Sequence, residues 1–309
     1  MLDSFFYKEK GLFLQNLHPL AALVYLGTLL SLALLFTNPL YLAGLLCLVF
    51  LAVWSVDGLP AWEGYLKMGL TMMVLVMLVN PLMVRAGETI IWYGPRVPVL
   101  GRLNISLEAV YYGAAMSVRL LDVISVFCLY NLMVHPDKAL NLFSRLAWRS
   151  TMVISLATRM FPSMVRELAN IREVQQMRGV NFQQGKFGEK VKKHASLINI
   201  LLLSSLEDSL EIAESMQARA FGSGPRTCYS RSLFRPRDAL CLAGSALALG
   251  AGIWGLLHGF GVYTYYPRLG YLLQGPGTVL VLAAVLLGLS IPVVLSWGWR
   301  HWPYLKSKI

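Results

Sequence analysis

Charge is scarce in this sequence. Only 14% of its 309 residues are Asp, Glu, Lys or Arg, where a soluble globular chain carries about one quarter. Metal-ligand and redox patterns are missing too. The four cysteines, Cys47, Cys128, Cys228 and Cys241, form no CxxC pair, and the five histidines form no HExxH spacing, so zinc and dithiol chemistry have no support. No GxGxxG occurs. The nearest approach to a phosphate-cradling loop, Gly179 to Gly185-Lys186-Phe187, has one residue too many between its glycines and a phenylalanine where a magnesium-binding hydroxyl belongs. The chain is therefore expected to use no cofactor and to hydrolyse no nucleotide itself.

What it has in excess is apolar residues, 56% of the chain, with a mean hydropathy of +0.58. They gather in six runs, about 19–36, 40–56, 66–84, 107–134, 239–257 and 278–297. Crossing a bilayer takes roughly 20 apolar residues, and lipid leaves no partner for exposed backbone, so each run is expected to be a helix. The expected fold is an all-α integral membrane protein of about six transmembrane helices. Residues 1–134 form an N-terminal membrane domain of about four spans, 135–237 a cytoplasmic domain of long helices, and 238–309 a C-terminal membrane segment of one or two spans. Met1–Leu17 mixes charges with aromatics and has no cleavage signature, so the first span is expected to remain in the protein. The stretch 85–106, with short β-prone pieces between glycines and prolines, is expected to form a small hairpin or cap.

The few charges are unbalanced, at +11 net. Sixteen basic residues lie between His135 and Arg237, whereas the expected outer segments hold only Arg85, Arg96, Arg102 and Arg268. This bias places the N-terminus and the middle segment in the cytoplasm. The basic surface suits anionic lipid head groups. Without a recognisable reading motif, nucleic acid is not an expected partner.

Two ionisable residues, Arg119 and Asp122, fall inside the fourth run. Charges inside a bilayer need partners, and a spacing of three allows an ion pair on one helix face. An internal pair that positions the span is the plainer expectation, and an ion or substrate path the sharper one.

The middle segment divides by its own punctuation. One helix is expected over 137–148 and an apolar piece over 150–160. Pro162 is expected to open a further helix ending at Gly179, with Met164, Leu168, Ile171, Val174 and Met177 as its apolar stripe. A polar loop, 180–193, leads to a helix over 194–219, whose stripe includes Leu206, Leu210 and Ala213 opposite Glu207, Asp208, Glu211 and Glu214. Each long helix ends in a hydrophobic–Arg–small triplet, Met177-Arg178-Gly179 and Ala218-Arg219-Ala220. A last-turn arginine suits the helix dipole and projects a rigid, permanently charged fork beyond the tip. Capping its own carbonyls is the bland alternative.

Three stretches, His135-Pro136-Asp137-Lys138-Ala139-Leu140, Thr158-Arg159-Met160-Phe161-Pro162 through Glu167 to Gln175-Gln176-Met177-Arg178-Gly179, and Glu214 to Gly222, resemble the transmembrane T component of energy-coupling factor (ECF) transporters, the family that includes the cobalt- and biotin-transporter T subunits. The resemblance runs from the N-terminus to about residue 260. It implies two partner ABC-type ATPase subunits and a membrane-embedded substrate-binding S component that selects a vitamin or transition-metal ion. It implies that Met177, Arg178, Gly179, Ala218, Arg219 and Ala220 dock the ATPases. Met164, Leu168, Ile171, Leu206, Leu210 and Ala213 would face the S component, and the chain would lie in a prokaryotic plasma membrane. Ala220 departs from the family's frequent glycine. A stand-alone permease would need more intramembrane polar groups than Arg119 and Asp122, and a membrane enzyme would need a ligand or carboxylate cluster.

Overall fold

A computed structural model describes residues 13–84, 87–97, 101–134, 139, 142, 148–182, 184, 187–224, 234–273 and 275–301. The chain folds as two compact units. One comprises Met1–Ala139 and Ser232–Ile309, the other Leu140–Arg231.

The first unit is built on six apolar helices: α1 (Pro19–Leu35), α2 (Pro39–Ser55), α3 (Leu59–Met83), α4 (Leu107–Met133), α7 (Pro236–Leu257) and α8 (Pro276–His301). Their starts are written locally. Pro19, Pro39 and Pro236 supply a first-turn residue that needs no N–H. The Asn38 side-chain oxygen accepts the Leu40 N–H at 3.0 Å, and the Ser106 hydroxyl accepts from Ala109 at 3.4 Å. α3, α4, α7 and α8 are long and apolar enough to cross a membrane. α1 and α2 have 17 residues each, just short of a full span. Prolines sit inside α3 (Pro81) and α8 (Pro292), as neighbouring helices in membrane proteins allow.

α4 is the hub, packing against α1, α2 and α3; α1 also meets α7, α2 meets α8, and α7 lies along α8. Leu29, Leu32, Phe36, Tyr41, Leu45, Leu129 and Leu289 are fully buried between them. Tyr41 spends its hydroxyl on the Thr278 carbonyl at 2.8 Å. The α7–α8 seam depends on two glycines. A Cβ on Gly244 would sit 2.7 Å from the Gly288 carbonyl oxygen, and one on Gly288 would sit 2.7 Å from that of Gly244. Without side chains the two backbones approach closely, and dispersion rather than water exclusion holds them. The hairpin expected before α4 is present as β1 (Ile90–Val97) paired antiparallel with β2 (Gly101–Ser106). Glu88 ties its entry to Arg268 at 2.6 Å.

The expected pairing of Arg119 with Asp122 is not made. Arg119 instead donates to the Phe36 carbonyl at 2.5 Å, one of the carbonyls that the end of α1 leaves unpaired. Asp122 is fully buried, and neither carboxylate oxygen has a hydrogen-bond partner among the described residues. A long arginine reaches a helix end more readily than it folds back one turn along its own helix.

The second unit contains α5 (Trp148–Met177) and α6 (Phe187–Ala218). Pro162 does not open a helix; it lies inside the 30 residues of α5. Proline removes one ladder bond, and side chains take over nearby carbonyls: Ser163 Oγ donates to Met160 at 3.2 Å and Arg166 Nε to Pro162 at 3.3 Å. α6 starts at Phe187, earlier than expected, which shortens the preceding loop. The helix expected over 137–148 lies almost wholly outside the described residues.

Candidate functional site

The two arginine triplets end α5 and α6 in the same way. After Arg178, Gly179 turns left-handed with φ +86°, and after Arg219, Ala220 does so with φ +55°. At the first tip the Gly179 N–H bonds to the Gln176 carbonyl and the Val180 N–H to that of Gln175, both at 3.0 Å. At the second the Ala220 N–H reaches Gln217 at 2.9 Å and the Phe221 N–H reaches Met216 at 3.0 Å. Both patterns are Schellman motifs with the arginine at the cap position. The sequence around them repeats at a constant offset: Glu173-x-x-Gln176-x-Arg178-Gly179-Val180 and Glu214-x-x-Gln217-x-Arg219-Ala220-Phe221. The spacing is plain in the sequence once the caps are superposed, and invisible to a search for helical stripes.

These caps bear on what the arginines do. At each tip two of the end carbonyls, Gln175 and Gln176 at the first and Met216 and Gln217 at the second, are taken by backbone N–H groups. Arg178 and Arg219 are both exposed, and among the described residues neither guanidinium has a hydrogen bond or ion pair. Met177 beside the first is 76% exposed, a large apolar side chain left in the open. Each tip thus presents an unengaged fork for planar, bidentate contacts, next to Met177 at one tip and Ala218 at the other.

The helices run antiparallel. Glu167 on α5 accepts the Ser204 hydroxyl of α6, while Gln175, two turns further along α5, lines one pocket with Ser196 and Leu197, two turns earlier on α6. The tips therefore lie at opposite ends of the pair. At 1.5 Å per residue, the stretch of α6 from Lys193, beside the first tip, to Arg219 places the arginines on the order of 40 Å apart.

The six residues assigned to a membrane partner divide between the two helices. Met164, Leu168 and Ile171 share the half-buried face of α5 with Glu167 and Gln175, and Glu167 on that face bonds to Ser204 of α6. Leu206 (66%), Leu210 (65%) and Ala213 are exposed. Leu202 and Leu203, also exposed, extend that surface.

Two further residues are not marked by any pattern in the sequence. Phe182 is 5% exposed, with its ring edge-on to His194 at 5.6 Å. Lys193 donates from Nζ to the Asn181 carbonyl at 2.8 Å and to the Gln184 carbonyl at 3.0 Å. A lone aromatic in a polar loop is the available signal for Phe182; the lysine has none.

No group of three or more His, Cys, Asp or Glu side chains is placed to hold a metal among the described residues.

Comparison with known proteins places the chain in a family. A family model described as CbiQ, cobalt transport protein, matches residues 11–229, both tips included. The energy-coupling factor transporter transmembrane protein EcfT of Thermotoga maritima is 32% identical over 115 residues, 37% of this chain and 42% of that protein. That of Streptococcus thermophilus is 33% identical over 114 residues, 37% of this chain and 43% of its own length. These two are matched over less than half their length. The Staphylococcus aureus protein of the same name is 22% identical over 246 residues, covering 74% of this chain and 88% of its own. With the family model spanning most of the first unit's N-terminal part and both arginine-tipped helices, the chain belongs to the CbiQ cobalt transport protein family, as a transmembrane component of the ECF type.

Proposed function

We propose that this chain couples ATP-driven motion to uptake across a prokaryotic plasma membrane. Two ABC-type ATPase subunits dock at the arginine tips, Met177-Arg178-Gly179 and Ala218-Arg219-Ala220. The exposed stripe of α6, Leu206, Leu210 and Ala213, grips a membrane-embedded S component that carries a vitamin or transition-metal ion. All six apolar helices cross the bilayer with the N-terminus inside, and the tip-bearing unit lies in the cytoplasm, where its basic residues meet anionic lipids at about 1 kcal/mol each.

The observation that carries this reading is the duplication of the cap. Two exposed, unengaged arginines, set by the same Schellman geometry at opposite ends of a helix pair, suit two copies or two paralogues of one partner. ATP hydrolysis is assigned to those partners.

The test is charge reversal. Arg178→Glu with Arg219→Glu leaves the chain inserted and its S component bound, and releases the ATPases. Losing one partner of a desolvated charge contact costs about 2–5 kcal/mol. A single reversal releases less, because the intact tip holds the other at high effective concentration. Full co-purification of both ATPases with the double variant would show that the tips are not the docking points.

A further inference from the structure

The two tips share a cap but differ in the chain beyond it. After Arg178 the chain turns back over the start of α6 and is fastened there. The Lys193 ammonium spans two loop carbonyls, those of Asn181 and Gln184, and Phe182 is buried against His194. After Arg219 the described chain, to residue 224, bonds only within its own turn. Ser223 donates its N–H at 3.2 Å and its hydroxyl at 2.8 Å to the Ala220 carbonyl, and among the described residues 221–224 make no hydrogen bond reaching beyond their own turn.

The loop at the first tip is not held by dense packing. Beside it lies an open pocket of about 330 Å³, lined by Gln175, Val180, Phe182, Lys192, Lys193 and Leu197. A segment that borders a hollow takes its position from its few directional contacts. Lys193 supplies two of them, with a charged donor that makes each stronger than a neutral bond. Because Asn181 and Gln184 lie on either side of Phe182, one side chain fixes both flanks of the buried ring.

We propose that Lys193 is a positioning residue for Arg178, with Phe182 as its apolar counterpart, so that the first tip is a fixed arm and the second a compliant one. This rests on the docking reading for its functional meaning, and on geometry alone for the clamp. A lever that must track a moving partner works when one contact is stiff and the other gives. The first tip transmits force along α5, and the second adjusts as the partners approach.

The experiment uses the full chain in nanodiscs, with the four native cysteines replaced by alanine and paired spin labels introduced. One pair, at Met177→Cys and Ser209→Cys, reports the first tip; the other, at Ala218→Cys and Ser209→Cys, reports the second. Lys193→Met is expected roughly to double the width of the first distance distribution, as a tethered loop is released, and to leave the second unchanged. Lys193→Arg keeps the charged donors and restores the narrow width. Phe182→Ala broadens the first pair alone. Unchanged width in Lys193→Met, or equal broadening of both pairs, overturns the clamp. A second arm measures ATPase co-purification in the Arg219→Glu background, where only the first tip remains. Lys193→Met lowers it further and Lys193→Arg does not; equal retention overturns the link from clamp to docking. If Arg178→Glu has no effect on co-purification, the docking reading fails while the distance widths still decide the clamp.

Discussion

Gly179 and Ala220 occupy the same position in two copies of one motif, and they do not stand there at equal cost. Glycine populates the left-handed region freely. A residue with a Cβ meets its own following carbonyl there, at about 1–2 kcal/mol. The first tip is relaxed at its cap and tied down beyond it; the second is strained at its cap and held only by a local turn. The same pair of backbone bonds therefore closes two helices of different local stability, and the more mobile end is expected at Ala220.

Three substitutions break or sharpen that contrast, each read by native-state hydrogen exchange at the two amides that close the caps, Val180 and Phe221. Gly179→Val has the largest effect. A β-branched residue at φ +86° costs about 2 kcal/mol and speeds Val180 exchange about thirtyfold. It makes the first tip the weaker one, and an unchanged rate would mean that the clamp rather than the cap holds the tip. Ala220→Gly acts in the opposite direction, adding about 1 kcal/mol and slowing Phe221 exchange about fivefold. Slower exchange at Val180 instead would show the tips to be coupled. Ser223→Ala is the smallest. Loss of one exposed hydroxyl bond to Ala220 costs about 0.5 kcal/mol and moves Phe221 exchange about twofold.

The first cap could be read from the sequence, since Gly179 after Arg178 is a stop signal that needs no structure, whereas the second, closed by Ala220, could not. The six apolar helices could be read too, since each is written as a long apolar run. Pro162 misled because its missing N–H is one bond among many in a 30-residue helix. The α5 stripe was legible only in part. Met164, Leu168 and Ile171 are periodic, but periodicity shows only that a face is covered, not what covers it. Arg119 and Asp122 looked like partners by spacing, yet the end of α1 brings a carbonyl to Arg119 from 83 residues away. Lys193 was illegible for the same reason: it acts on backbone atoms, and backbone atoms leave no trace in a sequence.

The Gly244–Gly288 seam has a consequence for genetics. In a saturation scan scored on uptake, both positions would reject every side chain, because a Cβ at either would meet the other's carbonyl oxygen at 2.7 Å, though neither belongs to the proposed docking tips. Their signature would differ from that of the proposed docking tips: variants at the seam lower the amount of protein in the membrane, whereas Arg178→Glu with Arg219→Glu is expected to leave abundance intact and lower uptake. Scoring abundance beside uptake separates the positions where the chain is assembled from those where it is driven.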